Sequence, residues 1–377
     1  MKKNVAKILT LLLVLSMVLC VFAGCSEVTS NSELAESAQQ SSEEVSSEEE
    51  SSEEVSSEED VSSEEAQVPQ GNQNPLTGTF DLDEGAIGKR PVAIMINNIK
   101  VALPQSGIAD ADLIYEMPVE GGITRMMAVY ADYTKVPTTG SIRSARHNYL
   151  ELALPLDAIY VHFGGSNIAK AKIQEYGIKD DIDGLYSMTG FMQDKSVAAA
   201  KGKEHSYYTT GALLQKAVDS KGIRSDSKLN QTAFKFADEY TAPEDAQDCS
   251  EIKVKYSGYV TAKFTYNAEK DSYSKQQFGQ AHIDANTGET VSVHNVFVLY
   301  TNIYTMDKQG HQQIDLNSGS GYYCTGGKYQ KITWSKGGIN APFVFKDAAG
   351  NELTVSAGNS WVCIVPNDMK ASTVATP

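Results

Sequence analysis

The chain has 377 residues, with 48 acidic and 32 basic side chains, a formal net charge of −16 and 41% hydrophobic residues. This length suffices for two folded domains, and the acidic balance gives no reason to expect a nucleic-acid partner, which requires basic surface. The charge is uneven, because residues 26–66 hold fifteen acids and no base, whereas the residues after them hold 33 acids and 29 bases.

Residues 1–24 predict an export signal, with an early basic Lys2-Lys3 pair followed by the apolar run 8–22. The following Cys25, preceded by small residues, resembles the acylation site of a bacterial lipobox. We therefore expect Cys25 to carry acyl groups such as palmitate and to anchor the mature chain to the lipid bilayer, on the outer face of the cell membrane. The alternative is ordinary secretion after cleavage at small residues.

Residues 25–85 predict a disordered linker, within which 41–65 is a low-complexity repeat of serine and glutamate. Such a segment cannot bury enough apolar surface to offset the entropy of an ordered chain. The linker is expected to act as a solvated spacer in the cell envelope. A partner-binding acidic tail is the alternative.

Residues 86–240 predict an α/β domain, because short apolar runs alternate with helical patterns. After a boundary near 241–250, residues 250–366 predict a mainly antiparallel β domain. No metal or cofactor is expected, since Cys249, Cys324 and Cys363 lack metal-ligand spacing; these three allow at most one internal disulfide. The α/β segments are strands at 91–97, 111–117, 124–130 and 157–163, and helices at 144–154, 166–176 and 209–220.

Gly121-Gly122 predicts a two-residue hairpin turn between the second and third of these strands. In the resulting register, Glu116, Glu120 and Arg125 project from one side of the hairpin. The group is either a local ion pair that fixes the hairpin or the mixed-charge floor of a site.

The stretch GSIRSARHNYLELA, residues 140–153, predicts a helix capped by Ser141 or Ser144. Arg143 and Arg146 are three residues apart, so both can point the same way and both need a counter-charge. Glu116 and Glu120 are candidates within the chain. An external carboxylate or phosphate is the alternative, since the guanidinium fork suits both anions.

His162 ends a predicted strand and is followed by the turn Gly164-Gly165-Ser166 and a helix. A strand, a glycine turn and a helix start can present backbone N–H groups to an anion. His162 and this turn are therefore candidate site residues, although a structural role for a single histidine is the alternative. His205, in the polar loop KEHS, and Asp194 are further candidates for the same region.

Several of these motifs together resemble the YerB-like bacterial lipoproteins. The resemblance covers residues 86–366, from RPVAIMINN, GSIRSARHNYLELA, DAIYVHFGGS and KEHSYYTT in the first half to GYYCTGGKYQKITWSK and NSWVCIVP in the second. It implies a two-domain, membrane-anchored envelope protein of unknown activity. The chain differs from the family pattern at Met192-Gln193-Asp194, where an aromatic-Arg-Asp segment is common, and at His205-Ser206, where His-Asn is usual.

Three functions remain open at this stage. The first is binding of an anionic or polar cell-wall ligand or envelope protein at Arg143 and Arg146. The second is a hydrolase or transferase that uses Glu120, His162 or His205 as acid or base, although the sequence contains neither G-x-S-x-G nor H-E-x-x-H. The third is a protein-interaction or scaffold role for the β domain.

Overall fold

A computed structural model describes residues 71–229 and 232–377. The export signal, Cys25 and the linker up to residue 70 lie outside the described residues. Residues 71–85, which the sequence assigned to the linker, already belong to the folded body: Leu76 is buried, and Asn72 forms a β-bridge with Leu82.

The first half of the body alternates strands and helices, which confirms the predicted mixed α/β class. The helices, α1 to α4, are His147–Ala153, Asn167–Glu175, Lys195–Lys201 and Gly211–Lys221. The strands, β1 to β8, are Val92–Asn98, Leu113–Pro118, Thr124–Tyr130, Thr139–Gly140, Ile159–His162, Ile182–Asp183, Met192–Gln193 and Tyr207–Thr209.

The second half is built from strands, as predicted, and most of their pairs are antiparallel. These strands, β9 to β22, are Gln247–Asp248, Glu251–Lys255, Thr261–Asn267, Ser272–Gln277, Gln280–Ala281, Ser292–Val293, Asn295–Thr301, Ile303–Thr305, Gln312–Ile314, Ser318–Thr325, Lys328–Lys336, Phe343–Lys346, Ser360–Pro366 and Val374–Thr376. Cys249, Cys324 and Cys363 are buried free thiols.

One eleven-stranded sheet runs through both halves, in the order β20-β19-β18-β15-β21-β2-β3-β1-β5-β6, with β9 beside β19. The junction is the parallel pairing of β21 with β2, which places Trp361 opposite Ile114. A second, six-stranded sheet contains β10 to β14 and β22. The boundary predicted near 241–250 therefore separates two stretches of sequence but not two separate sheets.

Alternate residues of the long sheet face two different apolar layers, as expected for a sheet that is covered on both sides. Ile94 and Ile96 contribute to one layer, which also contains Leu214 of α4 and Phe264 of the six-stranded sheet. Met95 and its neighbours contribute to the other layer, which contains α1 and α2. The face on which a strand residue lies therefore decides which of the two layers it joins.

The register of the β2–β3 hairpin differs from the predicted one. Met117, not Pro118, lies opposite Arg125, because the connection spans residues 119–123 rather than two glycines. This loop is held from the second half of the chain, where the Ser257 hydroxyl donates to the carbonyl oxygen of Gly122. A shift of one residue moves side chains to the opposite face. Glu116 consequently does not share a face with Arg125, and that prediction is wrong.

Candidate functional site

Residues 141–146 form an extended segment that lies between β1 and β5 where these parallel strands end. On one side, Arg143 N donates to Met95 O over 2.8 Å. On the other, Ala145 N donates to Gly164 O over 2.9 Å. This position, beyond the C-terminal ends of parallel strands, is where open α/β sheets commonly bind ligands.

Helix α1 begins only at His147, so the arginines precede it rather than sharing its face. Arg146 occupies the N-cap position, and neither Ser141 nor Ser144 provides the predicted cap. Ser144 instead donates its hydroxyl to Phe163 O over 3.1 Å. Tyr149 and Leu152 of α1 are buried in the apolar layer that also contains α2.

Three arginines from two elements converge on this segment. The Nη1 atoms of Arg125 and Arg146 lie 2.6 and 3.4 Å from the carbonyl oxygen of Ser144. Arg143 lies on the same segment, and its Nη1 atom is 3.4 Å from the carbonyl oxygen of Glu204. We call Arg125, Arg143 and Arg146 the arginine cluster.

Only one carboxylate forms an ion pair with the arginine cluster in the part of the chain that the structure describes. Glu120 Oε1 accepts from Arg146 Nε over 2.6 Å, and the two side chains are 20% and 16% exposed. The Nε atoms of Arg125 and Arg143 are buried and lack hydrogen-bond partners among the described residues. The cluster therefore keeps more positive charge than its surroundings neutralise.

The electrostatics of Arg125 reflect this excess. Burial, followed by the repulsion of the nearby Arg146 guanidinium, lowers the pKa of Arg125 to about 9, so the group is still charged at neutral pH. Burial also lowers the pKa of Arg143; Glu204 opposes this shift and Arg146 adds to it. A bound anion would offset the cost of burying these charges and would reduce the repulsion between them.

His205 lies beside the arginine cluster. Its Nδ1 atom is 2.8 Å from Asn97 Nδ2, which can only donate, so Nδ1 is the acceptor and the proton is on Nε2. Nε2 faces Glu204 Oε1 at 3.7 Å. Burial and the charge of Arg143 lower the pKa of His205, which favours a neutral imidazole.

His162 and the turn after it are already engaged within the protein. The Nδ1 and Nε2 atoms of His162 face the Gly164 carbonyl and the Asp181 carboxylate, at 2.8 and 3.2 Å. Gly164 N donates to Asp183 Oδ1 over 2.6 Å, and Ser166 N donates to the carbonyl oxygen of Ala145. Gly165 forms a parallel β-bridge with Ala145. The turn thus bonds to the segment that carries the arginines, and the N–H groups of Gly164 and Ser166 are not free to bind an anion.

Asp194 has a different role in the structure. Its carboxylate caps α3 by accepting from Ser196 N and Val197 N, over 2.8 and 3.0 Å. It also lines a cavity of about 420 Å³ together with Tyr208 and Lys201. The structure does not bring Asp194 into contact with the arginine cluster.

His311 is a site residue that the sequence did not reveal. It lies on the β16–β17 hairpin, where its Nδ1 atom is 2.6 Å from Asp307 Oδ2 and its Nε2 atom is 3.7 Å from Glu120 Oε1. The same hairpin is bound to α1, because Asn148 Nδ2 donates to Gln312 O over 2.8 Å. The spacing of Asp307 and His311 in a turn was the only available signal, and it is also common in structural turns.

A second cavity, of about 670 Å³, lies at the opposite end of β1. Its walls include Pro91, Pro155 and Leu156. Lys89, a cation on its wall, already forms a 2.6 Å ion pair with Asp226. The arginine cluster, rather than this cavity, combines excess charge with partly exposed side chains.

Comparison with known proteins places these features in a family. Residues 76–224 match the N-terminal domain, and residues 252–362 the C-terminal domain, of DUF3048, described as a protein of unknown function. The chain is 31% identical over 308 residues to "Putative lipoprotein YerB" of Bacillus subtilis (strain 168), covering 80% of this chain and 88% of that protein. The crystal structure of YerB from Bacillus subtilis superposes with a TM-score of 0.70 at 27% identity, over 80% of this chain and 99% of that one. Among the described residues, no helix combines the length and apolar character needed to cross a bilayer.

Proposed function

Because the chain belongs to the DUF3048 family, we propose that it is an envelope lipoprotein, anchored to the membrane through acylated Cys25, that binds an anionic ligand at the arginine cluster. The name of its Bacillus subtilis relative and the signal at residues 1–24 support the anchoring. The geometry of the cluster supports the binding.

The imbalance of charge in the arginine cluster carries this proposal. Of the three guanidinium groups, only that of Arg146 forms an ion pair, and the other two keep an unpartnered buried Nε atom. Buried polar groups without partners are uncommon in folded proteins and call for an explanation such as a missing ion. An anion in contact with Arg143 supplies the partner.

The chemistry of the cluster favours a carboxylate or a phosphate. Arginine presents parallel N–H donors that match both anions, and charge-assisted bonds of this kind are about twice as strong as neutral ones. Arg143 is half-buried and therefore accessible to a ligand, whereas Arg125 is only 4% exposed. Carboxylates and phosphates are both abundant in bacterial envelope polymers, which makes a cell-wall component the expected source.

An enzymatic role rests on a different observation. Asp307 orients His311 toward Glu120, and an oriented imidazole beside a carboxylate is a usual acid–base arrangement. Hydrolysis or group transfer of a bound anion is therefore the second candidate function. It predicts product release, whereas the binding proposal predicts saturation without turnover. A scaffold role for the second half predicts neither.

The experiment is calorimetric titration of the full chain with inorganic phosphate and with triglutamate peptide as probes. Arg143→Ala should weaken binding about tenfold or more, since one charge-assisted bond contributes about 1.5–3 kcal/mol, and Arg143→Lys should recover part of the loss. Arg224→Ala is the matched control, because Arg224 is a partly exposed arginine already bonded to Asp157 at 2.7 Å.

Equal affinities for the parent and Arg143→Ala would exclude the arginine cluster as the site. If neither probe binds saturably, the proposal that the arginine cluster binds carboxylates or phosphates is wrong. Chromatography after incubation of the protein with an envelope polymer that carries phosphate esters and peptides decides between binder and enzyme, because only an enzyme changes the polymer.

A further inference from the structure

A second polar cluster lies in the interior, between the long sheet and the six-stranded sheet. Glu116 on β2 and Lys275 on β12 are both 0% exposed, and so is Asn98 at the end of β1. Among the described residues, no other ion pair has two side chains that are completely buried. Removing both charges from water costs several kcal/mol per ion, so a buried lysine and glutamate at this position require an explanation.

The Glu116 carboxylate joins the other two residues. Its Oε1 atom accepts from Asn98 Nδ2 and from Thr124 Oγ1, each over 2.8 Å. Its Oε2 atom lies 3.6 Å from Lys275 Nζ and accepts from Trp361 Nε1 over 3.1 Å. One carboxylate thus contacts both an amine and a side-chain amide nitrogen.

The surroundings of Lys275 favour the loss of a proton from Nζ, which yields a nucleophilic amine. Its Nζ atom lies over the ring of Trp361, 4.5 Å from the centroid, and 5.9 Å from the centroid of Phe264. Burial lowers the pKa of Lys275, an effect that Glu116 only partly opposes. A desolvated lysine of this kind is a stronger nucleophile than an exposed one.

The carbonyl group of Asn98 is polarised from the opposite side. Its Oδ1 atom accepts from Gln277 Nε2 over 2.8 Å and from Gln105 Nε2 over 3.2 Å. Two donors on one carbonyl oxygen withdraw electrons from the carbon and stabilise negative charge that develops on the oxygen during nucleophilic attack. Gln277 also accepts from Lys275 Nζ, so the amine and the amide contact the same residue.

From this juxtaposition we propose that Lys275 and Asn98 join in an intramolecular isopeptide bond, with Glu116 as the proton carrier. The Nζ lone pair attacks Asn98 Cγ and forms a C–N bond, and the Cγ–Nδ2 bond breaks. Glu116 takes two protons from the Nζ ammonium, one before and one after the attack; it passes one to Nδ2, which leaves as ammonia, and keeps the other. The step changes no oxidation state and requires no cofactor.

The reaction also explains why these charges are buried. The starting pair is an ammonium and a carboxylate; the product is a neutral amide beside a carboxylic acid, which keeps one of the protons. Neutral, hydrogen-bonded groups are far less costly in the interior than ions. The bond links β1 of the long sheet to β12 of the six-stranded sheet.

Peptide mapping of the full chain by mass spectrometry tests the proposal without any substitution. We expect trypsin to leave the chain uncut after Lys275 and to release a branched peptide that contains Asn98 and Lys275 and is lighter than its two parts by one ammonia. Recovery of separate peptides, with cleavage after Lys275, would reduce the cluster to a buried ion pair. A link to Gln277 in place of Asn98 would also overturn the assignment.

Three variants sharpen the result. Glu116→Gln keeps the shape of the side chain but removes the proton carrier, so the two peptides should stay separate. Asn98→Asp should still form the bond, now with loss of water instead of ammonia. Lys263→Met, which removes the lysine of the partly exposed Lys263–Glu251 pair, should leave the branched peptide unchanged. Circular dichroism of each variant establishes that it has folded; a branched peptide in folded Glu116→Gln would exclude the role of Glu116.

Discussion

Arg146 Nε lies 2.6 Å from Glu120 Oε1, and this bond connects the residue before α1 to the loop between β2 and β3. Both side chains are mostly buried, so each is costly to leave without the other. The ion pair therefore stabilises the fold at the same place where the arginine cluster has excess positive charge.

Arg146→Ala should lower the free energy of unfolding by about 1–3 kcal/mol, because it removes the hydrogen-bonded partner of a mostly buried carboxylate. Urea denaturation at pH 7 measures this effect. Lys172→Ala, which removes the cation of the more exposed Lys172–Glu175 pair, should change stability by at most about 0.5 kcal/mol. Similar losses in both variants would contradict the distinction.

Arg146→Ala should also reverse the direction in which Glu120 makes the free energy of unfolding depend on pH. Burial alone raises the pKa of Glu120, but the hydrogen bond and the charge of Arg146 hold it below its usual value. The stabilisation is therefore present above the unfolded pKa, about 4.3, and is lost as the pH falls through the folded pKa. Without Arg146 burial dominates, so Glu120 should instead reduce stability as the pH rises above about 4. Unfolding measured from pH 3 to 7 compares the two slopes.

Asp112 should make the free energy of unfolding of the parent protein depend on pH in the acid range as well. Burial raises its pKa to about 6, although its carboxylate accepts from Ala131 N over 2.7 Å. The folded state consequently binds the proton more tightly, and its stability should decrease from about pH 4 to pH 6 by about 1–2 kcal/mol. Asp112→Asn cannot titrate and should flatten this window. An unchanged slope would assign the effect to another group.

Asn148 should control the mobility of the β16–β17 hairpin, which carries His311. Its side chain donates to Gln312 O and accepts from Ile314 N over 2.8 and 3.3 Å. Asn148→Ala should speed amide hydrogen exchange in residues 303–314 and cost about 1–3 kcal/mol. Exchange in the β1–β3 strands serves as the internal reference, and equal acceleration there would indicate general unfolding instead.

Gly321 should tolerate no side chain. A Cβ atom at this position would lie 2.1 Å from the carbonyl oxygen of Val298 on the neighbouring strand, so the sheet would have to separate. Gly321→Ala should destabilise by about 1–3 kcal/mol. Gly258→Ala meets no atom within 4 Å and should stay within about 0.5 kcal/mol of the parent. Thermal unfolding compares the two.

Much of the secondary structure could be predicted because hydrophobic periodicity is local. The run PVAIMIN predicted β1, which spans Val92–Asn98, and the helix predicted at 209–220 is Gly211–Lys221. The hairpin register was not predictable, since Ser257 holds its loop from more than a hundred residues away. The sequence therefore placed Glu116 on the wrong face, whereas Glu120, one of the candidate counter-charges it left open, does pair with Arg146.

The site was only partly predictable for the same reason. Arg143 and Arg146 were singled out because two close cations need an anion, a local argument. His311 meets Glu120 only after the β16–β17 hairpin packs on α1. Lys275 gave no signal at all, because its partner lies in the other half of the chain.

The position of β21 has a consequence for protein synthesis. This strand, Ser360–Pro366, follows both β2 and β15 in sequence, yet it lies between them in the sheet. Until β21 has been translated and released from the ribosome, the nascent polypeptide exposes two unpaired strand edges, one on β2 and one on β15, which attract other chains. Premature stop codons should therefore yield insoluble fragments even when every residue of the arginine cluster has been translated.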